Sequence, residues 1–112
     1  MAREISWVGR SLKDFQEFPE TARRRMARAL QQAAQGETAD IAKPMKGLGA
    51  GVFEIALRYR TDAYRLVYAV LVGSDLYVLH AFQKKSKTGV KTPRQDTDLI
   101  RERLHRLKEQ LR

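Results

Sequence analysis

The stretch Tyr64-Arg65-Leu66-Val67-Tyr68-Ala69-Val70-Leu71 does most to limit what this chain can become. Side chains on a strand alternate between its two faces. Here both alternating sets are apolar apart from Arg65, so residues Ala63 to Val72 read as the central, buried strand of a sheet. Its neighbours lie on either side in the sequence. Val52 to Tyr59 precedes it through a turn around Arg60 to Asp62, and Asp75 to Phe82 follows it through a tight Gly73-Ser74 turn. The three strands predict an antiparallel meander.

Helices flank this meander. Ile5 and Trp7 alternate within a short strand, Glu4 to Val8, which Gly9 ends. Ser11 to Phe18 predicts a short helix. Pro19 breaks it and suits the first turn of a second helix, which carries Ala22, Met26, Leu30 and Ala33 at helical spacing and stops at Gly36. Arg23, Arg24, Arg25 and Arg28 on that helix read as a solvated face or as an anion contact. Glu37 to Gly51, with Pro44, Gly47, Gly49 and Gly51, predicts a loop. The final helix is expected to open with Thr92 as N-cap and Pro93 at its first position, and its stripe is Leu99, Ile100, Leu104, Leu107 and Leu111. The expected fold class is therefore α+β, ordered β-α-α-β-β-β-α. It has one small, mainly antiparallel sheet, an N-terminal helical hairpin and a C-terminal helix, with the helices packed on one side.

The 112 residues suit one domain, 1–112. An apolar fraction of 43% supplies a core and 31% charged residues cover it, which excludes a disordered chain. The absence of cysteine excludes disulfides and thiolate chemistry, and it suits a reducing, cytoplasmic setting. No signal peptide is expected, and the run Leu66 to Val72 is too short to span a bilayer. Lys and Arg number 22 against 13 Asp and Glu, a net charge of +9. Such an excess speaks to an anionic partner, nucleic acid first among them, rather than to fold.

Strand alternation sorts the candidate site residues. Glu54, Ala56 and Arg58 share one face of their strand, and Arg65, Val67 and Ala69 share one face of theirs. Leu76, Val78, His80 and Phe82 are expected on a common face of the third strand. Arg65 either pairs with Glu54 or is held for a ligand, because a buried arginine is costly alone. Gln83 to Thr92 carries Lys84, Lys85, Lys87 and Lys91 without an acid, a cluster suited to phosphate contact, and Arg94 follows it. His80 is a satisfied structural histidine or a general acid–base, whereas His105 is a bystander. Tyr68 and Phe82 are core residues or platforms on which an unpaired base stacks. The glycines from Gly47 to Gly51 lack the Gly-Lys-Ser/Thr of a phosphate loop, and no metal-ligand spacing or Ser-His-Asp assembly is apparent.

Several blocks, in this order, resemble the RelE/ParE toxin superfamily. They are Phe53-Glu54-Ile55-Ala56-Leu57-Arg58, Ala63-Tyr64-Arg65-Leu66-Val67-Tyr68, Tyr77-Val78-Leu79-His80-Ala81-Phe82-Gln83-Lys84-Lys85 and Thr92-Pro93. Together with Lys43-Pro44-Met45-Lys46-Gly47-Leu48, they are most similar to its phage-derived Gp49-like, or HigB-like, branch. The resemblance covers nearly the whole chain. It implies the toxin of a type II toxin–antitoxin module, with a cognate antitoxin as partner.

RelE-like and HigB-like members cleave mRNA on the ribosome, while ParE-like members inhibit DNA gyrase without a nuclease site. By resemblance, Arg65 supports the scissile phosphate, Arg58 is a basic position on the preceding strand, and Lys84 and Lys85 are the basic pair after Phe82. Ala56 stands where many relatives carry another cation, and Ser86 to Lys91 is a longer stretch than usual. The implied enzyme is a metal-independent, ribosome-dependent mRNA endonuclease without cofactor. Its catalytic candidates are Arg65, Lys84, Lys85, Arg58 and His80, and its RNA contacts are Lys87, Lys91, Arg94, Tyr68 and Phe82. The alternatives are a gyrase inhibitor and a basic nucleic-acid-binding module without catalysis. Codon preference, oligomeric state and antitoxin identity are not legible.

Overall fold

The computed structural model describes residues 2–84 and 92–112. The chain runs through β1 (Ile5–Trp7), α1 (Ser11–Gln16), α2 (Glu20–Ala34), β2 (Ala42–Pro44), β3 (Val52–Tyr59), β4 (Asp62–Ala69), β5 (Leu76–Lys84) and α3 (Arg94–Gln110). The strands form a sheet in the order β1-β5-β4-β3-β2. The β1–β5 pair is parallel and the other pairs are antiparallel. The α+β class, the helical hairpin, the C-terminal helix and the mainly antiparallel sheet are as expected, with β4 at the centre.

The stretch expected to be a loop contains the edge strand β2, so the order is β-α-α-β-β-β-β-α. The strand is short and carries Pro44, which weakens any strand signal, yet Pro44 is tolerated at a sheet edge where one side of the strand needs no ladder donor.

A second correction concerns the helices, which do not share one side of the sheet. On one face α1 and α2 bury Phe15, Met26 and Leu30 against Ile55, Leu66, Tyr68 and Val78. Rings in contact run from Trp7 through Phe15 and Phe18 to Tyr64, with centroids 4.9–5.8 Å apart. On the other face α3 packs Ile100, Leu104 and Leu107 against Val67, Ala69, Leu79 and Phe82. The physical reason lies in β4 itself: Val67 and Ala69 are as apolar as Leu66 and Tyr68, and only a second layer removes them from water.

A third correction arises from a β-bulge. The β4–β5 register shifts between Val67 and Tyr68, which pair with His80 and Val78 and leave Leu79 as the extra residue. Leu76 and Val78 face the helical hairpin, whereas His80 and Phe82 face α3. The four residues expected on one face are thus divided between two, because an inserted residue inverts strand alternation beyond it. Arg103 of α3 donates to the Leu79 carbonyl at 2.7 Å and so holds the bulge.

One turn is conformationally demanding. Arg60, between β3 and β4, has φ 59°, a region that favours glycine. Its guanidinium lies 5.3 Å from the Tyr59 ring centroid. Hydrogen bonding from Arg60 lowers the Tyr59 phenol below its ordinary value, assisted by Thr21 and by the Arg60 charge.

Two-sided burial of β4 makes a clear prediction. Val67→Ala is expected to destabilise the protein by about 2 kcal/mol, read as a lower urea midpoint with unchanged slope. A loss below about 0.5 kcal/mol would show that the α3 side is not a packed core.

Candidate functional site

The sheet face beneath the start of α3 gathers four of the five catalytic candidates, Arg58, Arg65, His80 and Lys84. Strand pairing arranges them in rows. Arg58, Ala63 and Lys84 stand side by side across β3, β4 and β5. Ala56, Arg65 and Phe82 form the next row, and Glu54, Val67 and His80 the third. Lys43 of β2 extends this last row beside Glu54. Strands are spaced by just under 5 Å, so the backbones of Arg58 and Lys84 stand about 10 Å apart.

Solvent access falls along this face from the first row to the third. Arg58 and Ala56 are exposed and Lys84 is half-buried, whereas Arg65 retains 8% exposure and His80 6%. The buried charges are partnered. Arg65 Nη1 donates to Glu54 Oε1 at 2.9 Å. Thr92 Oγ1 donates to the other carboxylate oxygen, Oε2, at 2.6 Å. Both oxygens of Glu54 are thereby engaged, one by the central strand and one by the residue before α3. Glu54 is the partner that strand alternation allowed for Arg65.

Thr92 was expected to cap α3. The residue in the cap position is Pro93, with no side-chain cap bond, because the Thr92 hydroxyl is spent on Glu54. A second contact repeats the tie one turn later, where His80 Nε2 lies 2.8 Å from Asp96 Oδ1. The His80 ring stacks on Phe82 with centroids 4.8 Å apart and an interplanar angle of 17°.

Other sequence candidates fall elsewhere. Tyr68 lies on the opposite face of β4 against Phe53, with rings 5.4 Å apart and stacked, and it is not brought to Arg65. Burial pushes its hydroxyl up to about 12. Arg94 opens α3 with a side chain 94% exposed, near Asp98. His105 is exposed on α3. Lys85, Lys87 and Lys91 lie outside the described residues.

Asp96, Thr92 and Lys43 were not singled out as members of this face. Asp96 left a trace in the sequence, since it stands four residues before Ile100 and so continues the buried stripe with a carboxylate. Lys43 became visible only with β2. The position of Thr92 before Pro93 suits a cap of α3 as well as it suits the bond to Glu54.

The arrangement gathers guanidinium and ammonium groups on one partly water-shielded sheet face, with Arg65 held by Glu54, which suits binding of phosphate oxygens. Among the described residues no cluster of His, Cys, Asp and Glu is placed to hold a metal ion, and no helix is long and apolar enough to cross a membrane.

The fold that carries this face is that of the RelE-like toxins. The structure matches that of the E. coli toxin RelE, a double arginine-to-alanine mutant in the free state. The match has a TM-score of 0.63 at 20% identity and covers 95% of this chain and 98% of that one. The RelBE2 toxin–antitoxin complex from Mycobacterium tuberculosis is similar at a TM-score of 0.49 and 17% identity, with 75% of this chain and 100% of that chain covered. The protein belongs to the phage-derived Gp49-like family, whose model matches residues 13–105. That span includes every described residue of the face. No curated protein matches the chain.

The Glu54 contacts predict unequal mutational costs. Glu54→Ala removes the carboxylate from a buried guanidinium and is expected to cost about 3 kcal/mol. Thr92→Val removes one hydroxyl of similar shape and is expected to cost about 1 kcal/mol. Thermal or urea unfolding of the two variants checks the order, and equal costs would show that Glu54 does not anchor Arg65.

Proposed function

We propose that this protein is the toxin of a toxin–antitoxin module and acts as an endoribonuclease that cuts mRNA on the ribosome. The observation that carries this reading is the placement of Arg58, Arg65 and Lys84 in two adjoining rows of one sheet face. Membership of the Gp49-like family and the fold of the toxin RelE support it.

RNA brings its own nucleophile, the 2′-hydroxyl beside the phosphate. As the 2′-oxygen bonds to phosphorus, the bond from phosphorus to the 5′-oxygen breaks. The products are a 2′,3′-cyclic phosphate and a 5′-hydroxyl end. The hydroxyl proton passes to a lone pair on the protein, and the departing oxygen takes a proton from a cationic donor, for which Lys84 and Lys85 are the candidates. Arg65, aimed by Glu54, and Arg58 at the exposed end of the face stabilise the charge that gathers on the phosphoryl oxygens. Protein cations thus fill the role that a metal serves in other nucleases.

The further basic residues Lys87, Lys91 and Arg94 extend the contact to RNA or ribosome, while Phe82 backs the His80 ring from within the core. The face offers few groups with which to align RNA, and alignment by the ribosome supplies what it lacks. The partner that silences such a toxin is an antitoxin with an acidic or amphipathic segment, and the compartment is the cytoplasm.

Arg58→Ala tests the function with little risk to folding, since Arg58 is exposed. It is expected to slow cleavage about 10-fold, and Arg65→Ala by roughly 100-fold. Mapping of mRNA 5′ ends after brief expression is expected to show codon-phased cuts that both variants suppress. Intact mRNA accompanied by DNA-damage signalling would replace this function with gyrase inhibition. Toxicity unchanged in both variants, with their fold verified by circular dichroism, would remove these arginines from the site.

A further inference from the structure

The cleavage step needs a proton acceptor, and the cations cannot be one. Arginine and protonated lysine carry donors and no lone pair. Glu54 has both carboxylate oxygens committed, to Arg65 and to Thr92. On the same face His80 Nδ1 is buried and has no hydrogen-bond partner among the described residues.

The other ring nitrogen decides what Nδ1 can do. His80 Nε2 meets Asp96 Oδ1 at 2.8 Å, and an ionised carboxylate only accepts. Nε2 therefore carries the hydrogen. A proton on Nδ1 would be a buried donor without an acceptor, a costly arrangement. The charged groups around the ring are consistent with this state. Asp96 and Arg103 approach from α3, the latter bonded to the Leu79 carbonyl. Arg65 on the adjacent strand β4 and Glu54 on β3 beyond it are bonded to each other.

We propose that Asp96 is a positioning residue that fixes His80 as its Nε2–H tautomer and so keeps Nδ1 as the lone pair that receives the 2′-hydroxyl proton. This assignment rests on the nuclease function proposed above. The bulge at Leu79 serves the same end, since it turns His80 toward α3 and onto the face that holds Arg65. In the RNA-free protein Nδ1 is closed to solvent. Seating of RNA must therefore open the ring on that side before the transfer, and catalytic contacts commonly tighten only in the complex.

Long-range 1H–15N NMR of protein with 15N-labelled histidine reads the tautomer directly, with exposed His105 as the internal comparison. The wild type is expected to show a protonated Nε2 and an unprotonated Nδ1 at His80. Asp96→Ala is expected to give a mixture of tautomers, while Asp96→Asn keeps the wild-type tautomer through its amide oxygen and also serves if the alanine variant folds poorly. In a purified translation reaction, Asp96→Ala is expected to lower kcat for mRNA cleavage at least 10-fold, with KM for the ribosome–mRNA complex unchanged, and Asp96→Asn is expected to lower it less. An Nδ1–H tautomer in the wild type, or wild-type kcat in a folded Asp96→Ala protein whose tautomers mix, would overturn the proposal. Failure of the wild type to cleave mRNA, with the tautomer as expected, would overturn the nuclease function and the use of the lone pair while leaving Asp96 as the group that sets the ring.

Discussion

The contact between Arg65 and Glu54 joins the central strand of the candidate face to the start of α3. A guanidinium in the central strand of a sheet is tolerable only with a carboxylate close by, and Glu54 supplies one at 2.9 Å from the adjacent strand. The same carboxylate reaches Thr92 with its second oxygen, so the start of α3 is tied to the centre of the sheet through one acidic residue. Such a pair contributes little net stability compared with an apolar pair of the same size. Its physical consequence is orientation, because the guanidinium can turn only by giving up a charge-assisted hydrogen bond.

The hydrophobic layers explain why this face is partly dry. Helices cover both sides of β4, but α3 begins at Arg94 and its apolar stripe engages from Ile100 onward. The rows nearest the start of α3 therefore pass from the buried core at Val67 and His80 to exposed residues at Ala56 and Arg58 within two rows. A charged group at that boundary keeps a stronger field than one in bulk water and does not bear the full cost of burial. Ala56 stands open to solvent in the row of Arg65.

Most of the fold was legible because its determinants are local. The period of Ala22, Met26, Leu30 and Ala33 marks α2, and the turn residues mark the ends of the meander. Glu54 could be paired with Arg65 because alternation along two adjacent strands places them on one face. The bulge was not legible: nothing in Val78-Leu79-His80 announces an extra residue, and its support comes from Arg103, distant in sequence. That one residue moved His80 and Phe82 from the hairpin side to the α3 side.

The sequence alone determined the class of fold, the central place of β4, the basic character of the chain and the kinship with RelE-like proteins. The first three follow from periodicity, turn chemistry or charge, which act over a few residues or through simple sums, and the kinship follows from the resemblance of short sequence blocks. The tertiary structure alone decided that α3 covers the second face of the sheet, that Thr92 binds Glu54 and leaves its helix uncapped, and that Asp96 meets His80. Those are choices among partners that a chain can make only once distant segments compete for the same space and the same hydrogen bonds.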